Sequence, residues 1–141
     1  MGQRLTAGLH ELVYAMDAYS DRVLRSRFDV DRNLFAFLVP LSDGTLDVTR
    51  LAERLNLTRA AVSKRVPVLE RDGWVTTRAD GRRVLVDLTP TGRDLVARAG
   101  VLLNGRFAAL MADVDIEVDV LDTHVRTLID AVRALDAEDG S

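Results

Sequence analysis

Apolar residues between Val48 and Val66 recur at the spacing of two short helices separated by a sharp turn. Asn56 stands at the turn, and Asn tolerates a positive φ angle better than most residues. Thr58 follows as the expected N-cap of the second helix, because its hydroxyl can accept a hydrogen bond from a free backbone N–H. The pattern predicts a helix-turn-helix. Its apolar positions are Leu51, Ala52 and Leu55 in the first helix, and Ala61, Val62, Val66 and Leu69 in the second.

The outward face of the second helix carries two cations, one hydroxyl and small residues. Such a face suits an anionic surface that forms hydrogen bonds, and the major groove of DNA is one. Pro67 also falls on this face, and it removes one helical hydrogen bond, so we expect a kink after the first two turns. The residues of this face are Arg59, Ala60, Ser63, Lys64 and Pro67.

A β-hairpin is expected directly after the helix-turn-helix. Residues 74–78 and 83–88 read as strands, and residues 79–82 form the turn between them. Asp-Gly between two β-prone segments is a strong hairpin signal. Trp74 opens the first strand, and we expect its indole to pack beneath the hairpin. A helix-turn-helix followed by a basic-tipped hairpin predicts a winged helix.

The order and spacing of these segments resemble the MarR family of bacterial transcriptional regulators. The wing reads Asp80-Gly81-Arg82, then an apolar strand from Val84 to Leu88, then Thr-Pro-Thr-Gly over residues 89–92. The resemblance covers about residues 30–110. It implies a homodimer that regulates transcription and commonly binds small aromatic or phenolic ligands. It further implies that the carboxylate of Asp80 braces Arg82.

Long apolar stripes flank the predicted DNA-reading core. They predict helices over residues 3–26 and 117–136, and a third begins at Pro90 after the capping residue Thr89. The fold class is therefore mainly α, a winged helix-turn-helix with a two-stranded wing in one domain over residues 1–141. About 30–90 form the DNA-binding lobe, and about 3–26 and 90–136 form dimerisation helices. The dimerisation residues are predicted to include Leu9, Leu12, Val125, Leu128 and Val132.

Charge is distributed unevenly along the chain. The net charge is −3, but residues 50–83 carry nine basic and four acidic side chains, whereas residues 113–141 carry two and nine. Positive charge thus coincides with the helix-turn-helix and wing, which directs nucleic acid to that face. The DNA-binding residues are predicted to be Arg50, Thr58, Arg59, Ala60, Ser63, Lys64, Arg65, Arg78, Asp80, Arg82 and Arg83.

These residues are expected to divide the work of binding. Arg59, Ser63 and Lys64 read or flank the major groove. Arg50 and Arg65 contact phosphates, which take most of the positioning bonds in protein–DNA complexes. Arg82 reaches a narrow, electronegative minor groove. The partner is expected to be a palindromic double-stranded operator, because helix-turn-helix proteins commonly pair on two half-sites.

The sequence also bears on disulfides, metal sites, catalysis, location and ligand binding. With no cysteine, disulfides and Cys-ligated zinc are ruled out, and no metal site, cofactor or catalytic constellation is expected. No uninterrupted apolar run approaches the roughly 20 residues that span a bilayer, and no signal peptide is visible, so a cytoplasmic protein is expected. The resemblance suggests an effector pocket lined by His10, Tyr14 and Phe35. Two alternatives to a regulator remain: a protein-binding winged-helix scaffold and a non-specific nucleoid-type DNA binder.

Overall fold

The computed structural model describes residues 2–140 and gives side-chain burial for residues 4–140. Six α-helices, a short 3-10 helix and three strands follow one another within that part of the chain, and the predicted mainly α winged helix is confirmed. The chain forms two compact units, residues 1–101 and residues 102–141. The elements are α1 (Gly2–Phe28), α2 (Arg32–Leu38), a 3-10 helix (Val39–Asp43), β1 (Leu46–Asp47), α3 (Val48–Leu55), α4 (Arg59–Arg71), β2 (Val75–Asp80), β3 (Arg83–Leu88), α5 (Pro90–Asp113) and α6 (Val118–Asp139).

The core of the first unit collects apolar side chains from each helix of that unit and from the sheet. It contains no buried polar or charged residue among those described, so burial of apolar area is its main stabilising term. Ala61, expected on the apolar face of α4, is instead exposed, one residue before the buried Val62. The core residues of this unit are Val23, Leu24, Val30, Phe37, Leu38, Leu41, Leu51, Ala52, Val62, Val66, Leu69, Val75, Val86, Leu88, Leu95, Val96 and Ala99.

Side-chain caps fix the starts of three helices, and the cap predicted at Thr58 is confirmed. Asp31 accepts a hydrogen bond of 2.7 Å from the backbone N of Leu34 at the start of α2. Asp47 does the same for α3, where the N of Arg50 donates over 2.7 Å. Thr58 Oγ1 accepts from the N of Ala61 over 3.1 Å and begins α4. These bonds satisfy backbone donors that a helix leaves free at its N-terminus.

Asn56 ends α3 in the left-handed conformation, with φ of 54° and ψ of 43°. Its backbone N–H donates to carbonyl groups of the last turn of α3, which closes the helix and turns the chain towards α4. The predicted helix-turn-helix is thus formed by local chemistry at Asn56 and Thr58. Helix α4 continues through Pro67 to Arg71.

The sheet has the strand order β1-β3-β2, all antiparallel. The predicted hairpin is confirmed, and β1 adds a third strand of two residues that the sequence pattern did not reveal. Strand β2 extends to Asp80, which pairs with Arg83, so the loop is only Gly81-Arg82. Gly81 has a φ of 62°, a value typical of glycine at the first loop position of a type II′ hairpin.

Thr89 joins the wing to α5. Its Oγ1 accepts from the N of Gly92 over 3.0 Å and donates to the carbonyl of Gly73 over 2.6 Å, so one side chain caps α5 and ties it to the entry of β2. At Gly92 an added Cβ would overlap the carbonyl oxygen of Trp74. Glycine is therefore required for this close approach between α5 and the chain before β2. Trp74 is half-buried there, next to the hairpin.

The second unit comprises the C-terminal part of α5 and all of α6. Residues 114–117 separate the two helices, and α6 begins at Val118, one residue after the predicted start. The helix continues to Asp139, three residues beyond the end predicted at residue 136; Ser141 lies outside the described residues. None of the residues of α6 is buried.

Helix α5 has the length and mean hydropathy of a membrane-spanning helix. It contains no long uninterrupted apolar run, because polar and charged residues such as Arg98 and Asn104 divide its apolar positions. One helix of this kind is weak evidence for a membrane span, because core helices of soluble proteins share this length and hydropathy. Leu95, Val96 and Ala99 are indeed buried.

Candidate nucleic-acid interface

The outward face of α4 is open to solvent along its length. Arg59, Ala60, Ser63, Lys64 and Pro67 are all exposed, whereas Val62, Val66 and Leu69 of the same helix are buried. The helix is therefore anchored by one face and presents the other. Its exposed groups are hydrogen-bond donors and small side chains, which a DNA groove can accommodate.

The cations of residues 50–83 fall into three groups when their contacts are compared. Arg54, Arg71 and Arg83 form ion pairs with acidic side chains. Arg65 stacks on a ring. Across residues 4–140, no acidic side chain forms an ion pair with any of the other five, which are all exposed: Arg50, Arg59, Lys64, Arg78 and Arg82.

This third group matters because all five of its members were predicted to bind DNA. A cation already paired with a carboxylate must give up that contact to bind a phosphate, whereas an unpaired one is available at no such cost. The structure brings Arg59 and Lys64 to the face of α4, places Arg50 in the first turn of α3, and sets Arg78 and Arg82 on the wing.

Arg65 is held against the neighbouring helix. Its guanidinium carbon lies 4.9 Å from the ring centroid of the buried Phe37 of α2, and the side chain is half-buried. Stacking leaves the edge of a guanidinium, where its N–H donors lie, open to a further partner. The predicted phosphate contact by Arg65 is compatible with this position.

The wing tip differs from the expectation in its pairing. Asp80 does not brace Arg82: its Oδ2 accepts a hydrogen bond of 2.6 Å from Nη2 of Arg83. Asp80 and Arg83 are directly opposite each other in the hairpin, so their side chains meet, whereas Arg82 lies in the loop. Nη1 of Arg83 is also 3.8 Å from Asp47. Arg83 thus contacts two carboxylates, and Arg82 extends alone from the tip.

One contact of this region was missed at the level of sequence. Glu70 near the end of α4 accepts two hydrogen bonds from Thr77 of β2, each of 2.8 Å. A signal was present, since an acidic residue in the last helical turn opposes the helix dipole and calls for an explanation. The partner, seven residues away, was not apparent from the spacing.

The predicted effector residues are only partly brought together. The rings of His10 and Tyr14 have centroids 6.5 Å apart, and both side chains are exposed on α1. Phe35 instead lines an open cavity of about 360 Å³ with Val39, Pro40 and Leu55, and with the charged residues Asp17, Arg32 and Arg54. Neither His10 nor Tyr14 lines this cavity.

The predicted dimerisation residues are exposed on their helices. Leu9 and Leu12 lie on the N-terminal half of α1, and Val125, Leu128 and Val132 lie on α6. Along α1 the apolar residues Leu5, Leu9, Leu12, Met16, Tyr19 and Val23 follow alternating spacings of four and three. Along α6 the residues Val118, Leu121, Val125, Leu128, Val132 and Leu135 do the same. This is the spacing of a helix that packs lengthwise on another helix.

Comparisons with known proteins agree with this geometry. Residues 35–83 match the model of the MarR family. The HTH-type transcriptional repressor YetL of Bacillus subtilis (strain 168) is 33% identical over 82 residues, which cover 56% of this chain and 47% of that protein. The match therefore spans about half the length of that relative.

Solved structures share the fold. The transcriptional regulator BldR from Sulfolobus solfataricus superposes with a TM-score of 0.77 at 22% identity, covering 92% of this chain and 95% of that one. NadR in complex with 4-hydroxyphenylacetate superposes with a TM-score of 0.70 at 23% identity, and the match covers 92% of this chain and 89% of that one. These findings confirm the resemblance to the MarR family: residues 35–83 match that family's model, and solved MarR regulators share the fold of the chain.

Proposed function

We propose that this protein is a sequence-specific, double-stranded DNA-binding transcriptional regulator that acts as a dimeric repressor and is released by a small-molecule effector. The observation that carries the proposal is the group of five exposed, unpaired cations on α3, α4 and the wing. They lie on the part of the chain that matches the family model, residues 35–83. The similarity to YetL supports repression as the direction of control.

Each member of the interface has a role set by its position. Helix α4 enters the major groove, where Arg59, Ser63 and Lys64 contact base edges and the small Ala60 allows close approach. Arg50 and Thr58, which stands at the start of α4, lie near the DNA backbone and bind its phosphates.

The wing supplies the second contact. Arg82 projects from a two-residue loop and has the length and fixed charge that a narrow minor groove attracts. Arg78 lies on the same hairpin and binds the flanking phosphates. Asp80 and Arg83 shape the tip through their mutual hydrogen bond.

Two copies of the chain bind one operator. The exposed apolar stripes of α1 and α6 each need a partner helix, and a second copy of the chain offers identical stripes. Two recognition helices then meet two half-sites about one helical turn apart, so the operator is palindromic.

The effector is a small aromatic or phenolic anion. The cavity beside Phe35 offers an aromatic wall and two cations, Arg32 and Arg54, whose ion pairs with Asp17 and Asp43 a ligand carboxylate would have to replace. His10 and Tyr14 remain predicted contacts on α1. Such a ligand releases DNA only if it binds the DNA-incompetent conformation more tightly than the competent one. A panel of aromatic acids, followed by Trp74 fluorescence and by operator release, tests this part of the proposal.

The wing provides the sharpest test of DNA binding. Arg82→Ala is expected to weaken binding to an operator selected from random-sequence DNA by about 1–3 kcal/mol, and to weaken binding to a random duplex much less. If Arg82 contacts only phosphate, both affinities fall together and the salt slope drops by about one. The measurement is a salt titration of both proteins on both duplexes. Unchanged affinity on both would remove the wing from the interface.

The same titration separates the two other functions. A non-specific nucleoid-type binder would bind operator-sized duplexes of any sequence equally, and a protein-binding scaffold would bind none. The exposed Arg59 and Lys64 favour DNA over a protein partner, since a scaffold would be expected to present acidic or apolar residues on this face.

A further inference from the structure

The carboxylate of Glu70 occupies an electrostatically unfavourable position. It lies in the last turn of α4, where the partial negative charge of the helix disfavours an anion. Its Oε2 nevertheless accepts a hydrogen bond of 2.8 Å from the backbone N of Thr77 and another of 2.8 Å from Thr77 Oγ1. Hydrogen bonds to a charged group are stronger than neutral ones, so this pair offsets the unfavourable location.

Thr77 lies on the open edge of the sheet. The strand order β1-β3-β2 leaves one side of β2 without a neighbouring strand. A backbone N–H on such an edge ordinarily faces water or pairs with another chain. Here the carboxylate of Glu70 accepts the hydrogen bond of the Thr77 N–H. The end of the recognition helix thus provides, at one point of β2, the acceptor that a fourth strand would provide.

The other wing strand is attached as well. Arg83 at the start of β3 joins Asp80 of β2 to Asp47, the N-cap of α3. The hairpin is thus tied to the end of α4 through β2 and to the start of α3 through β3. Of these two connections, the one through Glu70 and Thr77 links the wing directly to the helix that presents Arg59, Ser63 and Lys64.

We propose that Glu70 and Thr77 are positioning residues that set the angle between the recognition helix and the wing, so that α4 and Arg82 contact the same DNA site in register. Asp80, the last residue of β2, lies three residues beyond Thr77, about 10 Å along the strand, and Arg82 follows in the loop. Over that lever a tilt of about 10° displaces the wing tip by about 2 Å, which is more than the range of distances that a hydrogen bond tolerates. This inference rests on the proposed function.

Three variants separate the contributions of the two hydrogen bonds, the charge of Glu70 and the hydroxyl of Thr77. Glu70→Ala removes both hydrogen bonds, and Glu70→Gln keeps an acceptor oxygen without the charge. Thr77→Val keeps the branched shape and the backbone donor and removes only the hydroxyl. Glu53→Ala is the matched control, since Glu53 is an exposed carboxylate of α3, and it corrects for the gain in DNA affinity that follows removal of any negative charge nearby.

The decisive measurement is a double-mutant cycle between Glu70→Ala and Arg82→Ala on the selected operator. In the wild-type background Arg82→Ala is expected to lower affinity by about 5- to 150-fold. In the Glu70→Ala background the same change should cost less than about twofold, because the tip is already displaced. Thr77→Val should lower affinity less than Glu70→Ala, and Glu70→Gln should restore part of it. Glu53→Ala should leave the effect of Arg82→Ala unchanged.

A purely structural role would give a different pattern. Partial unfolding lowers the active fraction on operator and random duplexes alike and leaves the factor for Arg82→Ala intact. Equal factors for Arg82→Ala in both backgrounds would therefore overturn the positioning role, while operator preference by the wild type would keep the proposed function. Absence of operator preference in the wild type would overturn the proposed function itself.

A measurement made without DNA tests the contact between Glu70 and Thr77 independently of the proposed DNA binding. Amide hydrogen exchange at Thr77 is expected to be slow in the wild type and in Glu53→Ala, and faster in Glu70→Ala, while core amides such as that of Val62 are unaffected. Unchanged exchange at Thr77 in Glu70→Ala would contradict the contact on which the inference depends.

Discussion

The winged helix-turn-helix and the terminal helices carry similar apolar periodicities but use them differently. In the former, Leu51, Val62 and Val86 are completely buried. In α6 the apolar residues are all exposed, and Leu128 retains 57% of its accessible surface. Periodicity alone therefore predicts a helix, whereas burial distinguishes a helix that packs within its own unit from one that needs another partner.

Helix α1 shows both behaviours along one stripe. Val23 and Leu24 near its C-terminal end belong to the core, whereas Leu5, Leu9 and Leu12 are exposed. The helix extends beyond the DNA-binding lobe, and the apolar residues of its exposed N-terminal half have the same spacing as those of α6. We propose that the chain dimerises through these surfaces. Mutations in the buried residues should then affect the fold of the lobe, whereas mutations in the exposed stripes should affect assembly.

The largest effect is expected at the assembly surface. Leu128→Asp places a charge in the proposed interface and should cost several kcal/mol of dimerisation free energy, because the carboxylate would be buried without a partner. Sedimentation should show a monomer, and operator affinity should fall with it. Thr123→Asp is the control, because Thr123 lies on the opposite side of α6 from the stripe. A Leu128→Asp dimer of full activity would disprove this interface.

The next effect concerns the fold of the lobe. Gly92→Ala forces a Cβ against the carbonyl oxygen of Trp74, so the backbone must shift, and we expect a loss of at least about 1–3 kcal/mol in the free energy of unfolding. Gly100→Ala is the matched control, because its Cβ would meet no atom within 4 Å. It should be neutral or stabilise the helix by up to about 1 kcal/mol. Denaturant unfolding measures both, and equal stabilities of the two variants would refute the close approach.

The smallest effect lies at the junction of α1 and α2. The backbone N of Arg32 donates to Asp21 over 2.9 Å, and Nε of Arg25 donates over 2.8 Å. These hydrogen bonds, the backbone one first, hold the pKa of Asp21 below its ordinary value. The ionised form is thus favoured by folding, and its contribution is fully present above the unfolded pKa and is lost as pH falls through the folded pKa.

Comparison with Asp21→Asn tests that junction. The variant should be less stable than the wild type at pH 7, and the difference should shrink as the pH is lowered below about 3.9, the ordinary pKa of an aspartate. Urea unfolding at pH 7 and pH 3 measures it. A difference that stays constant between the two pH values would show that ionisation of Asp21 does not contribute.

Local chemistry explains which features the sequence could predict. Asn56 and Thr58 act on backbone groups within four residues, so their roles follow from residue type and spacing, and the structure confirms them. The hairpin follows in the same way from Asp80-Gly81. Sorting the cations by their ion pairs required the structure, yet the five unpaired ones were all among those predicted to bind DNA.

The features that the sequence could not predict depend on pairing between elements. Two arginines follow Asp80, and only the strand register decides that Arg83, not Arg82, meets it. Likewise β1 is too short to carry a periodic signal, and it exists because β3 offers it an edge. The bond between Glu70 and Thr77 needs the angle between α4 and β2, which no local pattern specifies.

Selection of bound fragments from random-sequence DNA tests the central claim most directly, since it reports sequence preference, symmetry and spacing together. A dimer that reads DNA through α4 and the wing should enrich an inverted repeat with half-site centres about 10–10.5 base pairs apart. It should also favour A·T-rich, narrow minor grooves where Arg82 is placed. Failure to enrich any sequence over the starting pool would contradict the account.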